Sequence, residues 1–181
     1  MIVGGPPNSG KSTFSESLVR ALQDQGVSAE AVDLDPWSPT LGFIRGEISK
    51  SERDRLKRSK ISTEDIKDAV TRLSQASRDN DFVIGDAPGG ISDEIRPIYR
   101  LATHAMILCR EDKQAEIDKW KMFFSTMNLR IVATIMTRTS GVEEMRAGDL
   151  VEGTLVGLDR TPINTPAIRS LASILRGKVG L

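Results

Sequence analysis

The stretch Gly5-Pro6-Pro7-Asn8-Ser9-Gly10-Lys11-Ser12-Thr13 fits the spacing G-x-x-x-x-G-K-[ST]. An apolar pair, Ile2-Val3, precedes it. A run with apolar residues at Phe14, Leu18, Ala21 and Leu22 follows at helical spacing. A strand, a glycine-bearing turn and a helix in that order form a cradle for an anion. Gly5 and Gly10 permit backbone angles and close approach that a side chain would block. Successive backbone N–H groups make a nest, and the helix aims its positive end at the ligand. Asn8, Ser9, Gly10 and Thr13 belong to this cradle. Lys11 supplies a point charge for the β- and γ-phosphates, and the Ser12 hydroxyl is the expected Mg²⁺ ligand. Pro6 and Pro7 stiffen the loop and remove two donors early in it.

The rest of the chain has the periodicity of an α/β fold. Short apolar runs at Ala29–Leu34, Phe82–Ile84, Ala105–Cys109, Ile131–Met136 and Thr154–Leu158 read as strands. Helices are expected after Ser62, within Ile91–Leu101, over Lys113–Met127 and from Thr165-Pro166 through Leu175. Strands that are apolar throughout, alternating with helices, predict a mainly parallel sheet covered on both faces, a three-layer arrangement. Ligands of such folds bind where strands end. The 181 residues, 39% hydrophobic, suffice for one domain over 1–181, with a polar, lid-like insertion around 37–61.

Two acidic segments fall at predicted strand ends. Asp86 in Asp86-Ala87-Pro88-Gly89 is placed to hold Mg²⁺, directly or through water, and the Gly89 N–H to reach a γ-phosphate. Asp33 and Asp35 in Val32-Asp33-Leu34-Asp35-Pro36-Trp37 lie two apart, so they share a side while the chain stays extended. Asp33 is a candidate to fix a Mg²⁺-bound water and Asp35 to orient a nucleophile. Turn chemistry before Pro36 is the plainer alternative. Lys11, Asp35 and Asp86 are thus the candidate catalytic residues, with Ser12, Asp86 and Asp33 as metal ligands.

The Arg45–Lys60 stretch is strongly charged and weighted towards Arg and Lys. It reads either as a solvated helix or as a cationic lid for an acceptor phosphate. Thr137, Arg138 and Leu158-Asp159-Arg160 are candidate base-side contacts. Trp37 is either a stacking surface or an anchor for its loop.

These residues resemble those of a known family. Gly5–Thr13 is similar to the Walker A motif of P-loop NTPases. Asp33-Leu34-Asp35-Pro36 and Asp86-Ala87-Pro88-Gly89 resemble the two switch segments of the ParA/MinD branch. The resemblance implies that branch's sheet topology and its nucleotide-sandwich homodimer, although Pro6 stands where the branch carries a signature lysine. Val3–Ser12, with Gly153–Arg160 and Ala167–Ala172, is also similar to the P-loop domain found fused to, or beside, a CRISPR-associated ring nuclease. That likeness implies a nucleotide-binding domain without nuclease activity.

Composition excludes several classes. One Cys and one His rule out a disulfide framework and a multi-His zinc site. With Lys+Arg 25 and Asp+Glu 25, the chain is no general electrostatic nucleic-acid binder, though a local patch for a nucleic-acid end stays open. No apolar run reaches the roughly 20 residues of a membrane span, and no leader-like segment opens the sequence, so a cytoplasmic location is expected. The expected ligands are ATP and Mg²⁺. ATP is favoured over GTP because Met136-Thr137-Arg138-Thr139 lacks an N/T-K-x-D guanine signature. A hydrolase, a kinase with an unknown small acceptor, and a nucleotide-gated module with a protein partner all fit this pattern.

Overall fold

A computed structural model describes residues 1–58 and 60–180; Ser59, inside the 37–61 segment, and Leu181 lie outside the described residues. The chain runs β1 (Ile2–Gly4), α1 (Lys11–Gln23), β2 (Ala29–Asp33), α2 (Thr40–Arg45), α3 (Lys50–Leu56), α4 (Thr63–Asp79), β3 (Phe82–Asp86), α5 (Arg96–Tyr99), β4 (His104–Arg110), α6 (Ile117–Ser125), β5 (Arg130–Arg138), β6 (Glu144–Arg146), β7 (Val151–Val156) and α7 (Pro166–Val179). A single 3-10 turn at Asp93–Ile95 and a kinked 3-10 segment at Glu111–Glu116 precede α5 and α6.

The strands form one sheet in the order β2-β3-β1-β4-β5-β7-β6, parallel except for β6. The expected α/β architecture with a mainly parallel sheet is what the structure shows. Burial on both faces explains the unbroken apolar strands: Ala105 through Cys109 in β4 are all buried. One core layer packs Phe14, Leu18 and Leu22 of α1 with Leu171 and Leu175 of α7. The opposite layer packs Leu73 of α4, Tyr99 of α5 and Trp120 and Phe124 of α6.

Local chemistry starts the helices. The Ser62 hydroxyl accepts the Asp65 N–H and the Asp65 carboxylate accepts the Ser62 N–H, a reciprocal cap that opens α4. Thr165 caps α7 with Pro166 at its first position, as expected. An equivalent Ser49–Glu52 box makes α3 a true helix inside the charged stretch.

β6 was not expected. It is a three-residue antiparallel edge strand with no apolar run, held by pairing with β7 and by Met145 packing on the core. The last core strand starts at Val151, before the expected 154. It stops at Val156 because Gly157, at φ 72°, turns the chain back towards the phosphate loop.

Strands are added to opposite sides of β1, which lies between β3 and β4, so the winding order reverses there. Its carboxyl end is therefore the topological switch point, where a parallel sheet opens a crevice.

Candidate functional site

The glycine loop leaves β1 at this switch point and re-enters structure at α1. Gly5 has φ 145°, and a Cβ there would stand 1.8 Å from the Leu108 carbonyl oxygen. Gly10 is left-handed at the start of α1, and a Cβ would stand 2.9 Å from Leu158 Cβ. Asn8 is also left-handed, at φ 62°, which Asn tolerates better than most residues. The loop is thus a backbone device pressed against β4 on one side and the Leu158 turn on the other. Two hydrogen bonds brace it. Thr137 Oγ1 donates to Ser9 O at 3.3 Å, and the Thr13 hydroxyl donates to the Asp159 carbonyl.

Lys11 is 8% exposed and donates from Nζ to Gly5 O and Pro6 O, both at 3.0 Å. Burial pulls its pKa down, while Asp86 and Asp35 oppose that fall. Asp86 is 2% exposed, and its Oδ1 has no hydrogen-bond partner. Burial pushes it up to about 7; Asp33 adds to the rise, and the Ser12 hydroxyl and Lys11 oppose it. A buried carboxylate oxygen left unpaired beside a hydroxyl and an ammonium group is costly to maintain in a core. It fits a hard cation, which takes oxygen ligands of this kind. Ser9 Oγ is a second orphaned atom in the loop.

Asp33 and Asp35 do different work. Asp33 Oδ1 accepts the Asp35 N–H at 3.1 Å and Oδ2 accepts the Leu41 N–H at 3.0 Å. Both its oxygens brace the chain from β2 into α2, so the carboxylate expected to fix a Mg²⁺-bound water is engaged as a backbone clamp. Burial still raises it, to about 6. Asp35 accepts the Trp37 N–H at 2.9 Å, the expected turn chemistry, yet it also lines the cleft and is raised by burial.

The cleft has a volume of about 770 Å³ and brings together Asn8 through Thr13, Asp35, Asp86, Gly89 and Asp159. Gly89 sits on the phosphate loop: a Cβ there would meet Pro7 Cα at 2.7 Å. The insertion forms another wall through Trp37, Phe43, Arg53 and Lys57. Trp37 packs on the core, as an anchor for its loop would, and also lines the cleft.

Three charges of the insertion are committed elsewhere. Arg45 donates to Glu16 Oε2 at 2.8 Å and to Ala31 O at 2.7 Å, tying α2 to α1 and β2. Arg55 pairs with Glu52 and Arg58 with Asp65. Of the base-side candidates, Leu158, Asp159 and Arg160 line the cleft. Thr137 is buried under the loop, and Arg138 pairs with Glu111 at 2.8 Å. The sequence reading missed Lys113, which leaves the 3-10 turn to donate to Pro7 O at 3.0 Å. Nothing local marks it, because the contact spans 106 residues.

The family profile described as AAA domain matches residues 1–112, from β1 past β4, including the glycine loop and Asp86. The chain belongs to this AAA-domain family. No curated protein matches the chain significantly.

The fold of this AAA domain is also that of MinD/ParA-like P-loop NTPases. It is similar to a cobyrinic acid a,c-diamide synthase from Mycobacterium smegmatis with bound ATP analog and magnesium (TM-score 0.64, 15% identity, 99% of this chain and 96% of that one). It is similar to a putative plasmid partition protein from Borrelia burgdorferi B31 bound to AMPPNP (TM-score 0.62, 14% identity, 99% and 97%). It also resembles the septum site-determining protein MinD complexed with Mg-ADP from Pyrococcus horikoshii OT3 (TM-score 0.58, 18% identity, 76% and 70%). These comparisons lend no support to a link with a CRISPR-associated ring nuclease. Among the described residues, no helix of the AAA domain is long and apolar enough to cross a membrane.

Proposed function

We propose that this AAA domain binds ATP with Mg²⁺ in the cleft and cleaves the bond between the β–γ bridging oxygen and the γ-phosphorus. The observation that carries the reading is the buried, unpaired Asp86 Oδ1 facing the end of the glycine loop beside Lys11 and Ser12. Nucleotides bound in the similar folds support it.

Ser12 and Asp86 would hold the Mg²⁺, which when bound neutralises charge on the β- and γ-oxygens. Lys11 would exchange the Gly5 and Pro6 carbonyls for phosphate oxygens, which relieves the desolvation of its ammonium group. The amides opening α1 carry the rest of the phosphate charge. Asp35 would orient the nucleophile, water or an acceptor hydroxyl, and take its proton. Burial already raises this carboxyl, which suits it to proton uptake. Catalysis on this reading is positioning plus fixed electrostatics.

Calorimetric titration with Mg·ATP and phosphate release test the reading. Wild type binds and turns over, and Lys11→Ala loses both. Unchanged binding and release in that variant would sink it. The contact of Gly89 with Pro7 favours one further role, with the Asp86–Gly90 loop reporting nucleotide state to a protein partner. Equal hydrogen-exchange protection of that loop with and without nucleotide removes this role.

A further inference from the structure

The wall formed by residues of the 37–61 segment carries clustered cations. Arg53 is 9% exposed and its guanidinium lies 4.7 Å from the centroid of Phe43. Arg160, from the turn after β7, approaches the same ring at 5.6 Å. The Arg53 Nε is buried and has no hydrogen-bond partner. Its neighbouring nitrogen donates to Asp54 Oδ1 at 2.9 Å, and Lys57 Nζ stands 2.7 Å from that same oxygen. One carboxylate oxygen therefore serves two cations, while Arg160 makes no ion pair among the described residues.

Arg53, Lys57 and Arg160 all line the cleft that contains the glycine loop. A buried guanidinium N–H without an acceptor is an arrangement that a bound oxyanion relieves. The nucleotide's own phosphates already have Lys11 and the α1 amides, on another wall of the cleft. Two guanidinium groups at one aromatic ring, with Lys57 beside Asp54, offer more donors than a carboxylate with two oxygens can use, and match the three oxygens of a phosphate monoester. No long basic track continues from them, since Arg45, Arg55 and Arg58 are paired with carboxylates. That disfavours a nucleic-acid strand.

We propose that Arg53, Lys57 and Arg160 hold the phosphate of a small phosphorylated acceptor whose hydroxyl points towards the glycine loop. This rests on the ATP reading above. The acceptor oxygen bonds to the γ-phosphorus as its O–H proton passes to Asp35. The bond to the β–γ bridging oxygen breaks with its electron pair remaining on ADP. The products are ADP and a doubly phosphorylated acceptor, and Asp35 returns the proton to solvent.

The full chain is saturated with Mg²⁺ and AMPPNP, then titrated with inorganic phosphate as the direct probe. Labelled ATP with a panel of hydroxyl-bearing sugar and nucleoside monophosphates reads transfer. Saturable phosphate binding is expected, weakened about tenfold or more in Arg53→Gln and Arg160→Gln. AMPPNP affinity is expected to hold in Arg53→Gln, which alters no base-side candidate. Arg160 is exposed, so its variant reads the site even where loss of Arg53 unfolds α3. No phosphate binding, or binding indifferent to both variants, overturns the proposal. Loss of AMPPNP affinity in Arg53→Gln, with the fold intact, also overturns it, by assigning that cation to the nucleotide. So does a single-stranded oligonucleotide that binds with steep salt dependence and displaces phosphate. If wild type itself fails to bind AMPPNP, it is the ATP reading that fails. Phosphate titration of Lys11→Ala, against the same variant carrying Arg160→Gln, then still decides the subsite.

Discussion

Asp33 and Asp86 are register partners across the parallel β2–β3 ladder, and the charge of Asp33 makes Asp86 harder to ionise. Asp33 meets this by clamping two backbone N–H groups, whereas Asp86 keeps an unpaired oxygen. One carboxylate is thus fully paired while its neighbour on the adjacent strand keeps an oxygen without a partner.

That relationship sets a pH dependence. Asp86 is raised to about 7 and Asp33 to about 6, both from 3.8. Between those limits the native state binds more protons than the unfolded chain, so these groups lose stability as pH rises. Their contribution is whole below about pH 4 and lost as pH climbs through 6 and 7. The buried Met1 amine, lowered from 8.0 to about 6, acts in the opposite sense, so the comparison must be between variants. Asp86→Asn should gain about 1–4 kcal/mol over wild type at pH 8 and nothing at pH 4. Thermal melts across that range check it.

Mg²⁺ should depend on the same carboxylate. On the proposed ATP reading the charged form of Asp86 would hold the metal, so the Mg²⁺-dependent part of ATP-analogue affinity should fall from pH 8 to pH 6. In Asp86→Asn that part should be absent at every pH, read by calorimetry with and without metal.

Gly5 is a steric prediction. Alanine there combines a disallowed φ with a Cβ 1.8 Å from the Leu108 carbonyl oxygen. Gly5→Ala should cost about 3 kcal/mol or more and remove nucleotide binding. A denaturant midpoint equal to wild type would contradict the loop geometry.

The Glu16–Arg45 pair is a stability prediction. Glu16 also holds Arg20 at 3.1 Å, and its side chain is only 9% exposed. Glu16→Ala leaves Arg45 and the Ala31 carbonyl without the third partner of their network. We expect a loss of about 2–4 kcal/mol, with faster hydrogen exchange in α2 than in α7.

The Trp120–Phe124 cluster supports the site from below. A Cβ on Gly4 would meet Phe124 at 2.5 Å, so these rings pack directly against the strand that launches the loop. Phe124→Ala should cost about 3–5 kcal/mol by cavity formation and weaken nucleotide binding, as read by unfolding and titration together.

Much of this was legible along the chain. The strand–loop–helix unit, the apolar strands and the capped helices are local patterns whose physics acts within a few residues. That Asp35 and Asp86 line the cleft was legible because they follow apolar runs, which marks strand ends. Arg45 shows where that logic stops. In sequence it belongs with Arg53 in one cationic stretch, but folding sends it to Glu16 and leaves Arg53 facing the cleft. Asp33 could be read equally as ligand or clamp until Leu41 supplied the second N–H. β6 had no pattern of its own, because an edge strand of three residues is stabilised by its neighbour.

By itself, then, the sequence determined the anion cradle and the α/β class, since glycine positions and hydrophobic period are properties of short segments. Only the tertiary structure decided which charges face the cleft. Residues from the glycine loop, β3, the insertion and the turn after β7 meet there through packing between distant elements. Burial on that scale raises Asp86, leaves the Arg53 Nε without a partner, and brings Arg53 and Arg160 to one ring.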